Sequence, residues 1–296
     1  MAVDKPNTSP PGLRLGRELK RLREAAGYDG RKGAERIAAE TGISPATIYR
    51  AEKGEGVKKE RDIRALLDLY RASTERSAAL MELVSQTRTP GWWAEYDIPV
   101  HLGLYLGMEQ VAAEIWWFEP LLIPGLLQTE DYARTIITAG RSGADDPEVT
   151  AKIRFRMERQ AILLRSERPP ALHVAVGEEA LRRPIGSAAI HAAQLERLLQ
   201  ATDLPNVSVH VVPIAVGFYR GVSTGPFEVL HFPPDSDGVV YEPPTVYAEL
   251  FTSGGYFDDP AEVSRYTAAF EDIRNRALDE ADSEALIKRA VEALQP

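Results

Sequence analysis

Ser44, Pro45, Ala46, Thr47, Tyr49 and Arg50 follow directly on Thr41-Gly42-Ile43. Their hydroxyls, phenol and guanidinium can hydrogen-bond base edges, and Arg50 matches the paired acceptors of guanine. Around them stand Arg14, Arg17, Arg31 and Lys32, then Lys53, Lys58 and Lys59. With the Ser44 hydroxyl, these cations suit phosphate oxygens. Two other groups of residues bear on catalysis or metal binding. Gly221-Val222-Ser223-Thr224-Gly225 matches G-x-S-x-G, the nucleophile elbow of hydrolases, but an elbow needs strand, turn and helix, and Pro226 leads here into a strand. The match is read as accidental, and as a glycine-bounded loop between strands the segment could instead gate a pocket. Of the five histidines, His173, His210 and His231 fall in strand-like segments, whereas His101 and His191 do not. Neighbouring strands in register would gather those three on one sheet face as a metal or pH-sensing site, although solvent-facing or satisfied strand histidines are commoner. Glu178-Glu179 reads as an ordinary acidic helix start. No metal-ligand spacing, Walker loop or dinucleotide fingerprint is present, so neither catalysis, a cofactor nor a bound metal is expected.

The elements that position the first set are short helices. Leu15, Leu19, Leu22 and Ala26 make one apolar stripe, with Arg14, Arg17, Lys20, Arg21 and Arg23 on the other faces and Gly27 as the stop. A second helix over about Lys32–Glu40 ends at Thr41-Gly42, and Ser44-Pro45 caps and opens a third, which stops at Gly54. Two short helices joined in this way form a helix-turn-helix. Ile43, Ile48 and Ala51 would face inward, leaving Pro45, Ala46, Thr47, Tyr49 and Arg50 for the major groove. Glu52 falls on the inner side, where an ion pair to Arg23 would tie the first helix to the third. Two further helices, carrying Ile63, Leu66, Leu67 and Tyr70 and then Leu80, Leu83 and Val84, close a five-helix domain over residues 12–90.

Residues 91–296 read as an α/β domain with a small mixed sheet flanked by helices. A helix over Tyr105–Phe118, another over Glu130–Ala139 capped by Thr129, and a third over Pro147–Arg165 precede the strands. The strands are Ala171–Val176, Val207–Pro213, Phe227–Phe232, Val239–Glu242 and Thr245–Phe251, with a helix over Ser187–Thr202 between the first two. Helices over Pro260–Ala277 and Ser283–Leu294 close the chain and cover the sheet or support a dimer. All four tryptophans lie within residues 92–117 and suggest one aromatic cluster, as core packing or as a pocket wall. Trp116, Trp117, Tyr132 and Ser223 are the candidates for an effector site.

Composition agrees with a two-part chain. The 296 residues carry a net charge of −9, yet residues 1–90 hold 18 Lys and Arg against 13 Asp and Glu. A basic head on an acidic body is what nucleic-acid binding by the head alone would produce. The absence of cysteine excludes disulfides, thiolate metal sites and thiol nucleophiles. Residues 1–11 read as a disordered arm, and with no apolar leader or span the expected place is the cytoplasm, beside the nucleoid.

Leu15–Gly27, Glu35–Glu55 (ERIAAETGISPATIYRAEKGE) and Ile63–Tyr70 resemble the Xre-type helix-turn-helix of actinobacterial regulators. Gly91–Tyr96, Trp117–Arg134 (WFEPLLIPGLLQTEDYAR) and Glu178–Gly186 are similar to the C-terminal domain of a large antitoxin-like and developmental regulator family. The resemblance implies sequence-specific transcriptional control of a double-stranded operator, and expected partners are a second copy of the chain and an effector or small partner protein. An alternative is an antitoxin that sequesters a small toxin and autoregulates its operon. The segment between Gly27 and Ile37 departs from the family by about four extra residues, and Gly33-Ala34 stands where Thr-Gln commonly opens the second helix. Either the helix is longer or Tyr28-Asp29-Gly30 is a longer loop, and in both cases Arg31 and Lys32 would replace the glutamine's phosphate contact.

Overall fold

The computed structural model describes residues 9–55, 59–89, 91–139, 146–234, 243–249 and 254–294. Two compact units emerge, one helical and ending at Val111, the other α/β and beginning at Ala112. The helical unit thus takes in some twenty residues that composition alone groups with the body.

The head contains α1 (Pro10–Ala25), α2 (Gly30–Thr41), α3 (Pro45–Glu52), α4 (Glu60–Leu69) and α5 (Thr74–Gln86), followed by α6 (Val100–Val111). Helix α1 starts inside the segment expected to be a disordered arm. The Ser9 hydroxyl accepts from Gly12 N, and Pro10 and Pro11 occupy first-turn positions whose amides need no partner. Leu15, Leu19, Ile37, Ile48, Leu66 and Leu67 form the centre of one core, all nearly free of solvent. Gly27, Gly42 and Gly54 end α1, α2 and α3 with φ between 72° and 78°, a left-handed turn that other residues rarely adopt. Gly16 has a different task. A Cβ there would lie 2.4 Å from the Glu52 carbonyl oxygen, so the missing side chain lets α1 cross directly over the end of α3.

The second helix begins at Gly30 rather than Lys32, in keeping with the longer-helix alternative. Tyr28 folds inward, its ring under the Arg36 guanidinium at 4.7 Å and its hydroxyl 3.2 Å from Glu40 Oε1. A Cβ at Gly33 would stand 2.2 Å from the Tyr28 carbonyl carbon. Gly33 therefore lets the Tyr28 backbone pack directly against the start of α2.

The body is built on one six-stranded sheet in the order β3-β2-β1-β4-β5-β6. Its elements are β1 (Glu114–Glu119), α7 (Glu130–Thr138), α8 (Pro147–Arg159), β2 (Ala171–Gly177), α9 (Glu178–Arg182), α10 (Ala188–Ala201) and β3 (Val207–Val212). Then come α11 (Arg220–Thr224), β4 (Phe227–His231), β5 (Thr245–Glu249), β6 (Gly254–Phe257), α12 (Pro260–Arg276) and α13 (Glu280–Glu292). Strands β1, β2 and β3 are parallel, whereas β4, β5 and β6 add antiparallel. The connection from β2 to β3 through α9 and α10 is a parallel crossover that uses the helix expected between these two strands.

In the body one expected element changes and one strand goes unread. The helix expected over Tyr105–Phe118 is instead α6 followed by the central strand β1. Glu-Ile-Trp-Trp-Phe-Glu is a run of β-branched and aromatic residues that gains hydrogen-bonded neighbours on both edges, which outweighs a helical period. Strand β6, with two glycines among four residues, has too weak a pattern to be read in advance. The expected strand Val239–Glu242 lies outside the described residues.

Candidate nucleic-acid interface

The recognition geometry rests on how α3 is held. Ser44 Oγ accepts from Thr47 N at 3.2 Å, and Gly42 ends α2 with φ 72°. Ile43, Ile48 and Ala51 are buried, as their spacing predicts. Arg23 Nε reaches Glu52 Oε1 at 2.6 Å and its second terminal nitrogen reaches Oε2 at 3.2 Å, with side-chain exposures of 4% and 7%. Arg23 also donates to the Tyr28 carbonyl at 2.5 Å. The Glu52 hydrogen bond, outweighing burial, pushes the guanidinium further toward its charged form. The expected tie between first and third helices is therefore a buried, bidentate ion pair, and Arg23 belongs to the interior rather than to the outer face of α1.

The face left outward carries Ser44, Ala46 and Arg50 exposed, with Pro45 and Thr47 half-buried. Arg50 lies along its own helix, Nε 3.4 Å from the Ala46 carbonyl, and makes no ion pair among the described residues. Tyr49 is also half-buried, but its ring packs against the head core. Lys32, Lys53 and Lys59 are exposed, and Arg31 is exposed while paired to Glu35 at 3.0 Å. Arg14 and Arg17 are half-buried and each already interacts with another group, so they are less open than the sequence implies. Lys58 lies outside the described residues.

The four effector candidates do not converge. Trp116 and Trp117 are successive strand residues and face opposite sides of the sheet. Trp116 stacks on Phe270 of α12 at 5.1 Å and donates its indole N–H to Glu114 at 2.6 Å. Trp117 lies beneath Arg159 of α8, 5.5 Å from the ring centre. One cluster of all four tryptophans is thereby excluded. Tyr132 is fully buried, and its hydroxyl accepts from Ile123 N at 3.2 Å.

That hydroxyl belongs to a set of polar side chains that sequence reading misses. Residues 123–128 form a buried segment with one 3-10 turn over Gly125–Leu127, whose peptide groups need partners. Gln128 donates to the Ile123 carbonyl at 2.7 Å, Gln194 donates to Leu127 O and accepts from Thr129 N, and Gln160 donates to Gly125 O and Gln128 O. The distinctive string around Leu121–Tyr132 thus encodes a hydrogen-bonded support. Adjacent to it, burial raises the Glu119 carboxyl to about 7, against opposing hydrogen bonds from the Leu121 and Leu122 amides. Gln128 in the segment, Gln160 just after α8 and Gln194 in α10 are too far apart in sequence to give a local signal that could have announced this.

Of the four, Ser223 alone is exposed and borders an open cleft. It sits inside the five-residue helix α11 and not at a strand-to-helix turn or in a loop. The three strand histidines do share one face of the sheet. His173 Nδ1 lies 2.8 Å from Ser208 Oγ and its Nε2 3.1 Å from Glu114, while the His231 ring lies 4.6 Å from that of Trp116. His210 Nδ1 meets the Leu278 carbonyl at 2.9 Å. Burial lowers the His173 and His231 pKa values. Among the described residues no group of three acidic or histidine side chains is placed to hold a metal ion.

Fold and site together define a helix-turn-helix head on an α/β body with a mixed sheet. The helix-turn-helix domain family matches residues 14–80, and the family described as "Domain of unknown function (DUF5753)" matches residues 102–289. The chain belongs to the DUF5753 family. No curated protein and no solved structure matches it. No helix among the described residues is long and apolar enough to cross a membrane.

Proposed function

We propose that this protein is a sequence-specific transcriptional regulator, without catalytic activity, whose body senses an effector and biases the head. The observation that carries the reading is the split of α3. Its inner residues Ile48 and Ala51 and the Arg23–Glu52 pair hold it rigidly, while Ala46, Thr47 and Arg50 face outward on the turns that this motif presents to base edges. Arg50 is the base reader, and Arg31, Lys32, Lys53 and Lys59 flank it as phosphate contacts.

The test is binding of a selected duplex by the full chain, read by fluorescence anisotropy over a salt series. Arg50→Ala should weaken the selected duplex by about 1–3 kcal/mol and relax preference at one base pair, leaving random DNA unaffected. Equal loss on selected and random duplexes would make Arg50 a phosphate contact and remove the base-reading role.

A further inference from the structure

We infer that the cleft between α11 and α12 is the body's effector site and takes a small aromatic anion, an assignment that rests on reading the body as a sensing domain. The cleft has a volume of about 470 Å³, within the usual range for small-ligand sites. One wall is the segment ending in α11, which brings Phe218, Arg220 and Ser223 to the opening. The other is one stripe of α12, where Glu262, Arg265, Tyr266 and Ala269 recur at helical spacing. Phe257 of β6 completes the lining.

Three features specify the ligand. First, Arg220 and Arg265 both line this cleft, and neither guanidinium is in an ion pair among the described residues, the Asp272 carboxylate accepting only from the Arg220 backbone N–H at 3.4 Å. Glu262 is the one acid on the lining, so the wall keeps a net positive charge. Two planar cations that are not ion-paired within the protein suit a carboxylate or similar anion, which they can grip with charge-assisted hydrogen bonds. Second, Phe218 is 76% exposed, although it stands beside the half-buried rings of Phe257 and Tyr266, themselves 5.4 Å apart. A flat ring entering between these walls would cover Phe218 and stack on the aromatic side. Third, this exposure is imposed by the backbone. Gly217 (φ 70°, ψ −133°) and Gly225 (φ 67°, ψ −171°) bracket the wall in conformations that only glycine adopts readily. Between them, Tyr219 is buried against Phe118 and anchors the segment, so Phe218 is turned outward.

The probe is 2-naphthoate, compared with 2-naphthamide, which has the same ring without the charge, each titrated calorimetrically into the full chain without DNA. Naphthoate should bind saturably and naphthamide at least about tenfold more weakly. The double variant Arg220→Gln/Arg265→Gln should bring naphthoate to the naphthamide level, and Phe218→Ala should weaken both ligands alike. Because these side chains are exposed, melting temperatures of the variants should stay within about 2 °C of the parent, which separates lost binding from lost folding. No saturable naphthoate binding, equal affinity for the amide, or undiminished binding by the double variant would each overturn the assignment. DNA selection on the same preparation is scored separately. DNA selected without naphthoate uptake removes the cleft and keeps the regulator, whereas uptake without DNA selection does the reverse.

Discussion

Replacing Glu52 by alanine should unfold the head far more readily while barely altering how a folded head binds DNA. In the native head, Glu52 meets Arg23 through two contacts at 2.6 and 3.2 Å, with side-chain exposures of only 7% and 4%. Removing the carboxylate leaves the guanidinium buried with the Tyr28 carbonyl and the distant edge of Glu24, at 3.5 Å and half-exposed, for company. A buried pair broken on one side costs about 3–5 kcal/mol, and the low exposure here means little screening by solvent. For a head of roughly 100 residues, with stability on the order of 5–15 kcal/mol, that is a large share. Native-state hydrogen exchange of peptides from α1 and α3, measured in the full chain, isolates the head's own opening from that of the body. At 1.36 kcal/mol per decade, protection of the slowest amides should fall by at least about 100-fold. The double variant Arg23→Met/Glu52→Leu should recover most of the loss, because an apolar pair of similar volume leaves no orphan charge. Below the head's melting temperature, Glu52→Ala should bind duplex within about threefold of the parent. Protection within threefold of the parent in Glu52→Ala would refute the structural role, and a large affinity loss with intact protection would move Glu52 to the DNA interface.

Three other outcomes follow from the same structure. Gly16→Val should destabilise the head by about 1–3 kcal/mol in urea melts, because its side chain would collide with the Glu52 and Ala51 carbonyls at the α1–α3 crossing; an unchanged midpoint would contradict that crossing. Glu119, raised to about 7 by burial from an unfolded value near 4.3, takes up a proton on folding, so the stability it confers is complete below about pH 4 and lost as pH rises through 7. Glu119→Gln should therefore raise the unfolding free energy at pH 8 more than at pH 5, by at most about 3 kcal/mol in urea melts, and a gain independent of pH would discount the titration. Lys53→Gln and Lys59→Gln should weaken selected and random duplexes alike and each reduce the slope of log affinity against log salt by about one, whereas an unchanged slope removes that lysine from the phosphate contacts.

The head was legible because its signals are local. Ser44-Pro45, Gly42 and Gly54 announce caps and stops within a few residues, and the apolar stripes of Leu15–Leu19 and Ile63–Leu67 repeat at helical spacing. Even the Arg23–Glu52 pair could be inferred, since once α1 and α3 are adjacent their inner faces leave few partners. The lengthened α2 was open to two readings because the steric contact between Gly33 and Tyr28 appears only when the chain has folded back. In the body, helices with proline and serine starts were recoverable. Strand β1 was not, because Trp116 and Trp117 satisfy a helical window as well as a strand, and only pairing with His173 and Val229 on either side decides. The same pairing separates Trp116 from Trp117, and so dissolved an effector site assembled from neighbours in sequence. Ser223 lies on the cleft without the company it was given, since Arg265 and Tyr266 come from some forty residues later.

The central claim is that the exposed turn of α3 reads sequence, and selection of bound duplexes from a fully random library by the full chain tests it most directly, with the parent and Arg50→Ala run side by side. The account predicts a short enriched motif for the parent, in half-sites about 34–36 Å apart if two heads bind together, with a guanine position whose preference Arg50→Ala loses. A parent selection no different from the input library, or a motif that Arg50→Ala leaves intact at every position, would contradict it.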